Sequence, residues 1–142
     1  MIPKEVIDMD SKKTGGYQLI NPEDIKEEQI WGPKAIFYEK KLYRDDKIAI
    51  NLRIQPAQEK VQSEGGYQLH THGDSTEIVV VLKGKSTGYS EASGEIKFHG
   101  GSKPGEIGTM LVIPPHTTHG VVSVEEDFIA LAIFVPPPKE RY

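Results

Sequence analysis

The sequence predicts an all-β fold with one short N-terminal helix, and three observations lead there. Ten prolines, fourteen glycines and a hydrophobic fraction of 37% describe a chain of many turns and short strands rather than a helix bundle. From residue 34 onward, short runs rich in Ile, Val, Phe and Tyr are punctuated by turn residues at intervals of about ten, the rhythm of antiparallel strands. A length of 142 residues fits one domain around a single core. Residues 1–20 are polar and read as an N-terminal arm that lies along the domain or reaches a partner subunit, with the domain itself over 21–142.

Taken in order, Asn21-Pro22-Glu23-Asp24 combines an N-cap, a first-turn proline and acidic residues at the positive end of a helix dipole. With Gly32 to stop it, the helix is expected over about 22–30. Strands follow over 35–43 and 47–54, joined by the polar turn Arg44-Asp45-Asp46-Lys47. In the second strand Ala49, Asn51 and Arg53 alternate with Ile48, Ile50, Leu52 and Ile54, so one face is buried. Further strands are expected over 67–70, 77–82, 86–91, 96–99, 109–113, 121–124 and 128–135, nine in all. Ser93-Gly94 supplies a tight turn and Gly100 to Gly105 a loop, while Pro136-Pro137-Pro138 ends the last strand because proline cannot donate to a ladder. The pentapeptide GGYQL occurs at 15–19 and 65–69, but its flanks differ and it reads as coincidence.

Composition narrows the function classes. The net charge is −4 and basic residues are scattered singly or in pairs, so nucleic acid is not expected as a partner. No run approaches the roughly 18–20 apolar residues of a membrane helix, and no secretory leader is evident, so a cytoplasmic location is expected. The absence of cysteine excludes disulfides and thiolate chemistry and leaves only nitrogen and oxygen side chains to any metal.

Four of the five histidines fall in two short stretches, His70-Thr71-His72 and His116-Thr117-Thr118-His119. On a strand, residues i and i+2 share a face, so His70 and His72 can present imidazoles to one point. Glu77 follows a Gly73-Asp74-Ser75-Thr76 turn that can fold it back beside them. Three imidazoles and one carboxylate suit Fe(II), Mn(II), Co(II), Ni(II) or Zn(II), and an octahedral ion so held keeps positions open for water or substrate.

The spacing HxHx4Ex6G, from His70 through Glu77 to Gly84, resembles the first motif of the cupin superfamily, although the leading glycine, Gly65 or Gly66, is displaced by one or two positions. Gly108 to His119 is similar to the second cupin motif through Gly108, Pro114 and His119, with His116 where the family has glycine and Ser123 where it often has asparagine. The resemblance implies a double-stranded β-helix (cupin, or jelly-roll) barrel with His70, His72, Glu77 and His119 as ligands of one divalent transition metal, Fe(II) first and Mn, Ni, Co or Zn after it.

Beside the metal, His116 has two readings: an acid or base at the mouth of the barrel, or a turn residue facing solvent. A histidine in place of glycine suggests that the loop needs no positive φ there. Gln68, two residues before His70, shares its inward face and is a candidate to bind substrate or metal-bound water. Tyr89, Arg53 and Gln55 are weaker candidates for the same lining. The segments 78–82 and 110–113 are expected to form apolar walls.

The leading expectation is a metal-dependent enzyme on a small organic molecule, of the mononuclear non-haem iron dioxygenase type. Alternatives are an isomerase, lyase, cyclase or decarboxylase using Zn, Mn or Ni as a Lewis acid, and a non-catalytic metal-dependent binding module. A homodimer is expected, since cupins commonly pair sheets edge to edge.

Overall fold

The structure, a computed structural model, describes residues 16–30, 37–61 and 69–139. Of the expected arm, residues 1–15 lie outside the described residues, and 16–19 are exposed and without regular structure. The expected helix over 22–30 is replaced by one 3-10 turn, Pro22–Asp24, capped by the Asn21 side chain accepting from the Glu23 amide at 3.1 Å. Ile25 is already extended, and Glu28–Ile30 forms strand β1. The cap and proline start the turn, but pairing of β1 with the next strand places Ile30 in the core. That gain outweighs the weak helix preference of Glu27, Glu28 and Gln29.

The remaining strands are β2 (Phe37–Arg44), β3 (Ala49–Gln55), β4 (Thr76–Ser90), β5 (Gly94–His99), β6 (Met110–Ile113) and β7 (His119–Val135). All pairings are antiparallel. Among the described residues seven strands stand where nine are expected: two expected pairs fuse, the strand over 67–70 leaves only a bridge at His70, and β1 is added. The segments 77–82 and 86–91 are parts of the 15-residue β4, and 121–124 and 128–135 are parts of the 17-residue β7. Lys83-Gly84-Lys85 has the composition of a break, but the chain passes through it as a series of register shifts between Val81 and Ser86. Gly84 makes this possible: its φ is +89°, and a Cβ there would run into the Asp127 carbonyl. Of the strand expected over 67–70, residues 67 and 68 lie outside the described residues, and His70 forms an isolated bridge to His119.

The two long strands make a double-stranded β-helix. Strand β7 pairs along β4 from Thr76↔Val135 to Ser90↔His119. Its C-terminal half also pairs with β3 and its N-terminal half with the segment around Gln58, while β4 is flanked first by β6 and then by β5. The core between the layers is built on Phe37, Val81, Phe98, Val124, Phe128 and Ala130. The β2–β3 turn forms as read, with Asp45 Oδ1 accepting from the Lys47 and Ile48 amides at 2.8 and 2.9 Å.

The inward face of β3 carries Ala49, Arg53 and Gln55, opposite Phe134, Ala130 and Phe128 of β7. The isoleucine side therefore faces out. Ile50, Leu52 and Ile54 align with Ile133, Leu131 and Ile129, then with Ile78 and Val80 of β4 and Val112 and Met110 of β6. These outer residues are half-buried or exposed. Among the described residues no helix is long and apolar enough to cross a membrane.

Candidate metal centre

His70, His72 and His119 converge, with one ligand nitrogen of each lying within 4.8 Å of the others. The backbone bridge between His70 and His119, two hydrogen bonds of 2.9 Å, brings the start of β7 beside the first histidine pair. Gly73, at φ +61°, turns the chain, and the Ser75 amide donates to the His72 carbonyl at 3.2 Å. Glu77 then enters β4 facing inward. Its Oε1 lies 3.1 Å from His119 Nε2 and 3.3 Å from His72 Nε2, while His70 Nε2 and His72 Nε2 are 3.1 Å apart.

The separations of 3.1, 3.1 and 3.3 Å fit neighbouring donors around one cation, while the widest histidine pair, at up to 4.8 Å, would have to draw in on it. Adjacent donors of an octahedral ion with bonds of about 2.1 Å lie roughly 3.0 Å apart, and those of a tetrahedral one about 3.4 Å. The donor chemistry agrees, because the Thr117 carbonyl takes the Nδ1 proton of His119 and leaves Nε2 of the neutral ring bare toward the Glu77 carboxylate, a gap that a metal ion or a further proton fills. The three histidines could therefore hold a metal ion, with Glu77 placed to complete the set. His119 is oriented for it: its Nδ1 bonds the Thr117 carbonyl at 2.8 Å, which turns Nε2 toward the cluster. His72 packs edge-on against Phe134, with ring centroids 4.8 Å apart.

Burial opposes ionisation of Glu77, but hydrogen bonds from His119 and His72, with the Arg53 charge, outweigh it and hold the carboxyl well below the usual range. Burial likewise opposes charge on His119, and the hydrogen bond and charge of Glu77 with the Thr117 carbonyl outweigh it, raising that imidazole above its ordinary value. Arg53 is held by Glu39, which is 1% exposed and lies 3.4 Å from Nε, and its guanidinium stands 5.9 Å from the centroid of the Phe134 ring.

The cluster heads a cavity of about 190 Å³. Arg53, Gln55 and Tyr89 all line it. Of the expected apolar walls, Val79, Leu111, Val112 and Ile113 border the cavity, Val112 while 59% exposed; Val81 is buried in the core beside it, and Ile78, Val80 and Leu82 of β4 and Met110 of β6 face away, because side chains alternate across a strand. Sequence reasoning missed Phe98 and Phe128 in the wall and Ser90, Ser93 and Thr117 in its polar lining. Thr117 sits within the second motif and was open to suspicion, while the others depend on register across the barrel. Gln68 lies outside the described residues.

His116 is exposed, does not line the cavity, and lies 3.0 Å from Asp74 across the mouth. Its φ is +61°, which corrects the expectation that this loop needs no positive φ. The His116 amide donates to the Gly73 carbonyl at 2.8 Å, and that bond holds the turn in the left-handed region although the residue is not glycine.

No family model matches the chain, and no curated protein matches it. Solved structures do. A predicted oxalate decarboxylase from Thermotoga maritima superposes with a TM-score of 0.65 at 16% identity, covering 84% of this chain and 99% of that one. An RmlC-like cupin from Shewanella frigidimarina gives 0.63 at 17% identity, covering 84% and 90%. The polyketide cyclase RemF from Streptomyces resistomycificus gives 0.61 at 16% identity, covering 84% and 79%.

Proposed function

The chain has the cupin fold, and within it we propose a metal-dependent enzyme that acts on a small organic molecule, by dioxygenase-type chemistry on a substrate that binds through two oxygens. The observation that carries the reading is the convergence of His70, His72, His119 and Glu77 at the head of the cavity. When bound there, a divalent transition ion, iron first and Mn, Ni, Co or Zn after it, supplies Lewis acidity and open coordination positions. The chain's residues do the rest. Thr117 fixes the His119 tautomer, Arg53, held by Glu39, adds positive charge that keeps Glu77 ionised, and Phe98 and Phe128 make the far wall of the cavity apolar. The oxygenase form is favoured because, among the described residues, the cavity lining offers no carboxylate or imidazole beyond the cluster itself. A substrate acidified by coordination needs no separate protein base.

A second reading, a lyase or cyclase without O2, is favoured by two observations. Tyr89 lines the cavity and its phenol can move a proton, and two of the similar structures are a predicted oxalate decarboxylase and a polyketide cyclase. Elemental analysis of protein purified without chelators, followed by oxygen uptake with a panel of enols, phenols and dicarbonyls, decides between them. Iron with substrate-dependent uptake supports the first reading. Turnover without uptake, lost in Tyr89→Phe, supports the second, and protein without metal overturns both. The proposal includes a homodimer, supported by the apolar outer face of β3, β7, β4 and β6.

A further inference from the structure

Among the described residues, the cavity wall holds a buried side-chain oxygen that the fold leaves unsatisfied. Gln55 ends β3 and is 5% exposed, and its Oε1 is buried with no hydrogen-bond partner among the described residues. Its place inside follows from the alternation of β3, which turns Ala49, Arg53 and Gln55 to one face. The surroundings are apolar. Gln55 stands opposite Phe128, whose ring packs against Phe98 at 5.7 Å, and both rings line the same cavity. Arg53, two residues away, turns its guanidinium toward Glu39 and Phe134 instead. A buried carbonyl oxygen without a donor destabilises a fold, and such groups mark places where a ligand completes the bonding.

The position also matters. Gln55 pairs with Phe128 and Glu77 with Phe134, so the amide and the histidine cluster bound the cavity at different levels of β7. We propose that Gln55 is a specificity-determining residue whose amide oxygen accepts a hydrogen bond from a hydroxyl or amino group at the end of the substrate away from the histidines. This rests on the reading of the cavity as the substrate site. The substrate class is then a small molecule with oxygen donors at one end, an apolar body and an O–H or N–H donor at the other. The cavity of about 190 Å³ is smaller than the roughly 300 Å³ and upward of a drug-sized site and suits a small substrate with a single ring.

Two variants of similar volume, Gln55→Leu and Gln55→Met, test the assignment with two readouts. The first is the melting temperature of each protein without added ligand. Removing an unpaired buried oxygen raises Tm by about 3 °C or more in at least one variant, whereas a structural amide would lower it in both. The second is the Kd for 4-hydroxybenzoate against 4-methoxybenzoate, titrated into each protein. The wild type prefers the hydroxyl compound by about ten-fold, and the variants bind the two within about two-fold. A lower Tm in both variants, a preference that survives the substitutions, or a wild type that binds the pair alike or not at all overturns the proposal. Metal content measured on the same preparations separates the two readings. Protein that holds no metal yet keeps the Gln55-dependent preference sinks the metal centre and leaves the role of Gln55 standing.

Discussion

Glu77 stays ionised in a buried place because two imidazoles and a guanidinium face it, and this makes the cluster sensitive to single changes. His72→Ala and His119→Ala each remove a ring that contacts Glu77 directly. Each is expected to lower bound metal by at least about ten-fold, and Glu77→Gln, which keeps shape and loses charge, by less. Elemental analysis of matched preparations checks the order, and metal content equal to wild type in all three would remove these residues as ligands. The set was legible because it depends on local spacing: i, i+2 alternation brings His70 to His72, and a four-residue turn returns Glu77. What spacing does not carry is the role of neighbours. His116, three residues before the bridge partner of His70, points across the mouth to Asp74. Gln55, far away in sequence, reaches the cavity only through the register of β3 on β7.

The β2–β3 turn shows the same locality at the scale of an element. Asp45 takes hydrogen bonds from the Lys47 amide, the Tyr43 hydroxyl and the Ile48 amide, and these hold its carboxyl below the ordinary aspartate range. A folded pKa below the unfolded one gives stability that is fully present above the unfolded value and is lost as pH falls through the folded value. Asp45→Ala is therefore expected to lower Tm at neutral pH, with the difference from wild type closing once the pH drops below the depressed value. A gap that stays constant across a Tm series in pH would assign the effect to something other than the carboxylate. Elements set by local chemistry, such as this turn, the Ser93-Gly94 turn and the Asn21 cap, were legible in the sequence. Elements set by distant pairing were not. The helix expected after Asn21 gave way to β1 because Ile30 has a place against the core, and β4 read as broken because Lys83-Gly84-Lys85 has the composition of a turn when its neighbour across the sheet is unknown.

At the scale of the molecule, the face of β3 that composition alone would bury is the outer one. Leu52, Leu131, Val80 and Met110 lie in one row across four strands, with Ile50, Ile133, Ile78 and Val112 in the next. Met110 and Val112 are 61% and 59% exposed. Contiguous apolar surface on this scale marks an interaction site, and β6 continues it to the sheet edge. The proposed homodimer would bury this face against its copy by sheet-to-sheet packing rather than by pairing edges, which keeps both cavity linings within their own barrels. Leu131→Lys places a charge in the middle of the row and is expected to raise the dimer Kd by at least about 100-fold, because an unpaired ammonium would lose its water on association. Light scattering on size-exclusion peaks should give twice the 15.8 kDa chain for wild type and one chain for the variant, with metal content unchanged in both. Dimerisation also links to stability, so the wild-type Tm should rise with protein concentration while that of the variant stays flat. A wild type that remains a single chain at micromolar concentration would leave the outer isoleucines, leucines and valines to another partner and remove the copy as the reason for them.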